Sequence, residues 1–293
     1  MDPELLRGPS AVAARLASQI ERVSSTPRTT VLLCGERGRE LELSARAIHA
    51  ASGGKRASSP FVRLAGARLR DLAGPFDQAE DGTLFLEEIA DLGPAQQSEL
   101  LELLEERAGH EERVDGPRLI ASTAVDLERE VERGRFREDL FYRLNVLTIR
   151  VPPLRQRLED LEVLCERLLE SLRSTLGVAF RLDAEALALL RSHGWPGGLL
   201  ELESVLGCAA VACAPGERIG AGHLHGFLED RSRGDALVPQ PPRPIAGRTL
   251  RDLEEAAIRQ VLVEVGGNRS RAARTLGINR TTLYNKLRLY GIA

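Results

Sequence analysis

Five short apolar runs, spaced by segments long enough to hold a helix, constrain this chain more than any other feature. They are Val31 to Cys34, Phe61 to Leu64, Thr83 to Leu86, Arg118 to Thr123 and Val146 to Val151. Most are apolar at consecutive positions rather than at alternate ones, which is the pattern of strands covered on both faces. Helical periodicity fills residues 10–23, Leu41 to Ala51 and Ala95 to Glu106. Strands that alternate with helices imply a parallel α/β sheet. From Glu159 to Leu228 the pattern is helical only, with breaks at Gly177, Trp195-Pro196-Gly197 and Pro215-Gly216. Pro239, Pro241, Pro242 and Pro244 then mark an extended linker. The expected domains are an α/β core over 1–160, a helical lid over 161–229, a Pro-rich linker over 230–248 and an all-α domain over 249–293.

The all-α tail opens with a helix from Leu250 to Val265, its Leu253, Val261 and Leu262 inward. Ala272, Ala273 and Leu276 give the next helix a small apolar face, and Gly277 stops it and turns the chain. Asn279 is a good N-cap for the last helix, and Leu283 and Leu287, four apart, pin that helix inward. Its outward face carries Arg280, Thr281, Thr282, Tyr284, Asn285 and Lys286. Hydrogen-bonding groups at the leading end of such a helix are what meets base edges in helix-turn-helix proteins. Charge agrees: residues 248–293 hold nine basic and four acidic side chains, so a tail of +5 follows a body of −8 in a chain of net −3. A basic module is what the phosphate backbone requires. Double-stranded DNA is therefore the expected partner. Asn279, Arg280, Thr281, Thr282, Asn285 and Lys286 are expected in the groove, with Arg269, Arg271 and Lys286 on phosphates.

Other function classes find little support. No run of about 18 apolar residues exists, so no membrane-spanning helix is expected. Met1-Asp2-Pro3-Glu4 lacks the basic-then-apolar pattern of a leader, and a cytoplasmic location is expected. The four cysteines form no CxxC pair, and His223 and His225 lack ligand partners at metal-site spacing, so no metal is expected.

The order of segments resembles the bacterial NtrC-type enhancer-binding proteins that activate sigma-54 RNA polymerase. The resemblance rests on Gly82-Thr83-Leu84-Phe85-Leu86-Glu87-Glu88-Ile89, on Gly134 to Val146, on Val151 to Arg157, on Trp195-Pro196-Gly197 and on Gly277 to Leu283. It implies an AAA+ core of the P-loop NTPase kind, a helical lid and a C-terminal helix-turn-helix like that of the nucleoid protein Fis. It implies a homodimer through that C-terminal domain.

The chemistry of the family does not carry over with the fold. ATP hydrolysis needs a cradle of backbone N–H groups, a lysine on the β/γ-phosphates and a magnesium ligand. The family's loop aligns on Gly35-Glu36-Arg37-Gly38-Arg39-Glu40-Leu41-Glu42, where Glu40 replaces the last glycine and Leu41 replaces the lysine. Its acidic strand end falls on Glu87 and Glu88, its γ-phosphate-sensing Asn on Ala124 and its lid arginine on Leu200. Arg137 and Arg143 match the trans-acting arginine fingers, and without a nucleotide they are read as ion-pairing with Glu138 or Asp139. Only Ala65 to Gly82 separates the second strand from the acidic strand, so the family's sigma-contacting insertion is absent. The expectation is a DNA-binding regulator with a pseudo-ATPase domain, without ATP or magnesium as cofactor and without sigma-54 contact. A weakly active ATPase that drives sigma-54 promoters is one alternative. A chain that assembles with intact AAA+ relatives through Gly134 to Val146 is another.

Overall fold

The computed structural model describes residues 3–26, 29–66, 72–108, 116–176, 178–213 and 217–232, together with Arg269. The chain divides into two units, Met1–Ala236 and Leu237–Ala293, and the first holds the sheet and the lid. The tail's base-facing residues Asn279, Arg280, Thr281, Thr282, Asn285 and Lys286, and Arg271, lie outside the described residues.

Strands β1 (Val31–Cys34), β2 (Phe61–Ala65), β3 (Thr83–Glu87), β4 (Arg118–Thr123) and β5 (Leu147–Arg150) form one sheet in the order β2-β3-β4-β1-β5. Every pairing is parallel, as in Val31 opposite Ile120 and Leu147. The expected parallel α/β core is therefore present. Val31, Leu33, Phe85, Ile120 and Ile149 face one apolar cluster, and Leu32, Leu84, Leu86, Leu119 and Ala121 face the other. Burial on both sides explains why these strands read as unbroken apolar runs.

Helices α1 (Ala11–Ser24) and α2 (Arg39–Ala51) contribute to the first cluster, and α5 (Pro94–Ala108) and α7 (Glu138–Leu144) to the second. Four short helices escaped the sequence reading: α3 (Gly54–Ser58), α4 (Ala73–Gln78), α6 (Leu127–Glu132) and α7. None exceeds two turns, so none shows a period. Helix α2 starts two residues earlier than its apolar pattern, because Arg39 and Glu40 form its first turn.

The lid comprises α8 (Leu161–Leu176), α9 (Ala184–Ser192), α10 (Gly198–Ala212) and α11 (Ala221–Ser232). It is not purely helical: Leu182 and Ile219 form one isolated parallel bridge that pairs the segments before α9 and α11. Helix α11 also runs to Ser232, into the segment read as linker. Leu199, Leu202, Val205, Leu206, Ala209 and Ala210 of α10 are buried in the first cluster. Each buried Leu or Val there stabilises the lid by about 1.5–3 kcal/mol.

Two buried charges fix the helices at their ends. Arg118, wholly buried at the start of β4, donates to the Val23 carbonyl in the last turn of α1 at 2.8 Å and to Ser52 Oγ just past α2 at 3.2 Å. A cation at a helix C-terminus is favourable, yet burial pushes this guanidinium down to about 10. Asp160, immediately before α8, accepts from Ser10 N–H and Ser10 Oγ, each at 2.7 Å, and from Arg157 Nε at 2.9 Å. Ser10 Oγ in turn accepts from Ala13 N–H at 3.0 Å as the N-cap of α1. The root of the lid is thus tied to the first helix of the core.

Candidate functional site

The loop between β1 and α2 sits at the carboxyl end of the sheet, where parallel α/β folds place their ligands. Gly35 continues the strand by donating to the Thr123 carbonyl at 3.2 Å. A Cβ there would come within 2.9 Å of the Val151 carbonyl oxygen, so glycine is required for packing. Gly38 is the N-cap of α2, and a Cβ on it would lie 2.7 Å from Glu40 Oε2.

Glu40 is buried, with 6% of its surface exposed. Its Oε1 accepts from the Leu199 N–H of lid helix α10 at 2.8 Å. Gly198, at φ +56°, is what allows this approach, because a Cβ there would overlap Glu40 Oε1. The motif Trp195-Pro196-Gly197 aims that helix. Trp195 is fully buried at φ +49° and its Nε1 donates to the Leu190 carbonyl at 2.9 Å. Burial raises the Glu40 carboxyl above the usual carboxylate range, against the Leu199 N–H and Arg157.

Leu41 does not enter the cradle. It is 3% exposed and belongs to the first apolar cluster. Arg39 turns the other way and ion-pairs with Glu203 on α10. Between loop and lid, Glu36, Arg37, Glu40, Val151, Pro152, Pro153, Pro196 and Gly198 enclose a cavity of about 10 Å³, room for one water molecule.

The acidic strand end is brought to this loop. Glu88, at φ +53°, is 7% exposed, and its Oε1 accepts from the Ala124 N–H at 2.7 Å. Its Oε2 lies 2.5 Å from Arg37 Nε, and Arg37 also bridges to Asp91 at 2.9 Å. Burial raises the Glu88 carboxyl, while the Ala124 N–H and Arg37 pull it back. Glu87 points elsewhere, onto Arg63 of β2 at 2.6 Å. Ala124, at the sensor position, contributes only its backbone N–H to this group.

The remaining positions do not join it. Leu200 is about half exposed on α10. Arg137 is held by Asp139 at 2.8 Å and by Ser98 Oγ at 3.0 Å, and Arg143 is exposed on α7, with no ion pair to a described residue. Among the described residues, the sequence reading missed Arg37, Asp91, Leu199 and Glu203. Arg37 sits within the quoted loop, and its charge beside the acidic pair was the one available signal. Nothing in the sequence pairs Glu40 with a residue 159 positions away.

Two further features lie nearby. An open groove of about 1040 Å³ runs along the ends of β1, β4 and β5, lined among others by Arg15, Cys34, Ala124, Asn145 and Arg150. Cys213, Glu217 and His223 bring three donor atoms within 4.8 Å of one another in the lid, a grouping not expected from their spacing. His223 Nδ1 accepts from the Gly220 N–H at 3.0 Å. Among the described residues, no helix is long and apolar enough to cross a membrane.

Residues 65–150 match the sigma-54 interaction domain family, 155–238 the AAA+ ATPase lid domain family and 249–290 the Fis family of bacterial regulatory proteins. The chain is 38% identical over 299 residues to the Nif-specific regulatory protein of Azotobacter vinelandii, covering 92% of this chain and 56% of that one. It is 34% identical over 325 residues to the nitrogen assimilation regulatory protein NtrX of Azorhizobium caulinodans, covering 99% and 70%. Against the DNA-binding transcriptional regulator NtrC of Rhizobium meliloti it is 33% identical, covering 98% and 70%. The chain thus spans between about half and 70% of the length of these relatives. The crystal structure of NtrX from Brucella abortus with ADP superposes with a TM-score of 0.68 at 31% identity, covering 98% of this chain and 70% of that one.

Proposed function

Since the chain belongs to the NtrC-type family of sigma-54-dependent activators, we propose that it regulates transcription through its DNA-binding tail while its AAA+ domain no longer hydrolyses ATP. The observation that supports this most is the Glu40 carboxylate. It occupies the first turn of α2 and takes the Leu199 N–H, beside a space of about 10 Å³. A nucleotide would bring further negative charge against it. The position of the lysine is filled by Leu41, which is committed to the core. The match to the sigma-54 interaction domain begins at residue 65, past this loop. NtrX of Brucella abortus has been solved with ADP and with ATP; on our reading Glu40 and Leu41 keep this chain's loop from taking a nucleotide in the same way.

DNA binding is assigned to residues 249–293 on the Fis-family match at 249–290 and on the basic face read from the sequence. We assign that tail a homodimeric mode on a two-fold DNA site. The short segment between β2 and β3 leaves no place for a sigma-contacting insertion, so the regulation proposed does not act through that loop. A second reading, assembly with intact AAA+ relatives, is favoured by the exposed Tyr142 and Val146 beside Arg143, at 66% and 57% exposure.

The test is ATP turnover by the purified chain, together with mapping of its bound sites across the genome. Steady turnover abolished by Glu88→Gln would refute the first half. DNA binding that survives deletion of residues 248–293 would refute the second.

A further inference from the structure

We propose that Glu40 is a built-in anion that takes the place of a nucleotide phosphate and latches lid helix α10 onto the core, so that the closed arrangement is held without any ligand. The inference rests on the reading of the domain as one that does not hydrolyse ATP. It adds that the lost glycine has been replaced by a group with a structural task of its own.

Three observations carry it. First, the donors are those of an anion site. The first N–H groups of a helix have no acceptor within the helix and attract negative charge. Glu40 itself lies in the first turn of the 13-residue α2, and it accepts from the N–H of Leu199 in the first turn of the 15-residue α10. Second, the path has been cleared for the carboxylate from both sides. Gly38 on the core and Gly198 on the lid each lack the Cβ that would strike its oxygens. Third, the neighbouring charges are already engaged. Arg37 is held by Glu88 and Asp91, Glu36 by Arg155 at 2.6 Å, and Arg157 by Asp160 at 2.9 Å. Arg39, next in the chain to Glu40, reinforces the latch by its ion pair with Glu203 on the same lid helix.

An ordinary surface salt bridge would not leave the signature this latch leaves. The Leu199 amide lies in the first turn of α10, where no helical carbonyl can protect it from exchange. Its hydrogen-bond acceptor is Glu40 Oε1, whereas Leu206, deeper in α10, is protected by the helix's own hydrogen bonds.

The experiment is amide hydrogen exchange on the full chain, wild type and Glu40→Gly, with and without inorganic phosphate. In Glu40→Gly the Leu199 amide is expected to exchange faster by roughly tenfold or more, the equivalent of one hydrogen bond to a charged acceptor, while Leu206 and Ile120 are unchanged. Phosphate should slow Leu199 again in the variant and do nothing in the wild type. Unchanged exchange at Leu199 in the variant overturns the proposal. So does slowing by phosphate in the wild type, because it would show an open cradle. If Glu40→Gly loses protection throughout, the wild type decides. A Leu199 amide protected about tenfold or more relative to an unstructured peptide supports the latch, and exchange at the peptide rate refutes it. ATP turnover by the wild type would overturn the non-hydrolysing reading and leave the Leu199 result standing on its own.

Discussion

Replacing Asp160 with alanine should destabilise the domain by about 3–5 kcal/mol, the usual cost of leaving one partner of a buried ion pair alone. Asp160 is wholly buried and Arg157 is 1% exposed, so no solvent is available to take over the lost contacts. The substitution removes the acceptor for Ser10 N–H, Ser10 Oγ and Arg157 Nε together. What remains for the guanidinium is the Leu5 carbonyl, at 3.3 Å. In a domain of this size each kcal/mol lowers Tm by about 2–4 °C, so a fall of roughly 6–20 °C is expected. Trp195, the single tryptophan, is buried in the lid and reports the transition by fluorescence. Urea and thermal unfolding of the full chain would be compared with Arg157→Met and with the double variant Arg157→Met/Asp160→Leu. Removing both charges should cost less than the two single losses added together. A loss below about 1 kcal/mol for Asp160→Ala, or strict additivity in the double variant, would refute the reasoning.

Other outcomes are accessible with the same material. No ATP turnover is expected from the wild type, and Leu41→Lys alone should not restore it, because Glu40 still fills the cradle; a colorimetric phosphate assay on both proteins decides. The folded-state pKa of Glu40 lies above its ordinary value of 4.5, chiefly through burial, so ionising the buried carboxyl costs stability that is fully present below that value and falls away as pH rises through the folded pKa, while the bond from Leu199 persists. Thermal melts from acid to neutral pH should therefore show wild type losing ground to Glu40→Gln as pH increases; a constant difference between the two would contradict this. In the tail, Arg280→Ala should cost about 1–3 kcal/mol on a specific duplex and little on a scrambled one, while Lys286→Ala should weaken both and reduce the salt slope by about one unit. Salt series of binding curves on the two duplexes separate these cases.

The sheet was legible because each strand is covered on both faces and so shows as a run: Val31-Leu32-Leu33 and Leu84-Phe85-Leu86 carry their own evidence. The helices α3, α4, α6 and α7 were not, since a helix of one or two turns has too few positions to show a face. Burial of charge was the larger omission. Nothing in the sequence marked Arg118 and Arg157 as buried, and only the folded chain supplies Val23, Ser52 and Asp160 as their partners. At the loop, the sequence puts Glu40 and Leu41 where the resemblance implies a glycine and a lysine. It could not announce what Glu40 gained, because Leu199 offers a backbone N–H, a group every residue but proline carries. The same holds for Ala124, whose side chain matters less than the amide it gives to Glu88.

A bound nucleotide acts on a protein in proportion to its free concentration. Glu40 is joined to its binding site by the main chain, so its local concentration is fixed and cannot be competed down by dilution. A domain closed by the latch we propose would keep one shape whether the cell is rich or poor in ATP. The amount of the chain present, and not the ratio of ATP to ADP, would then set how much closed domain there is.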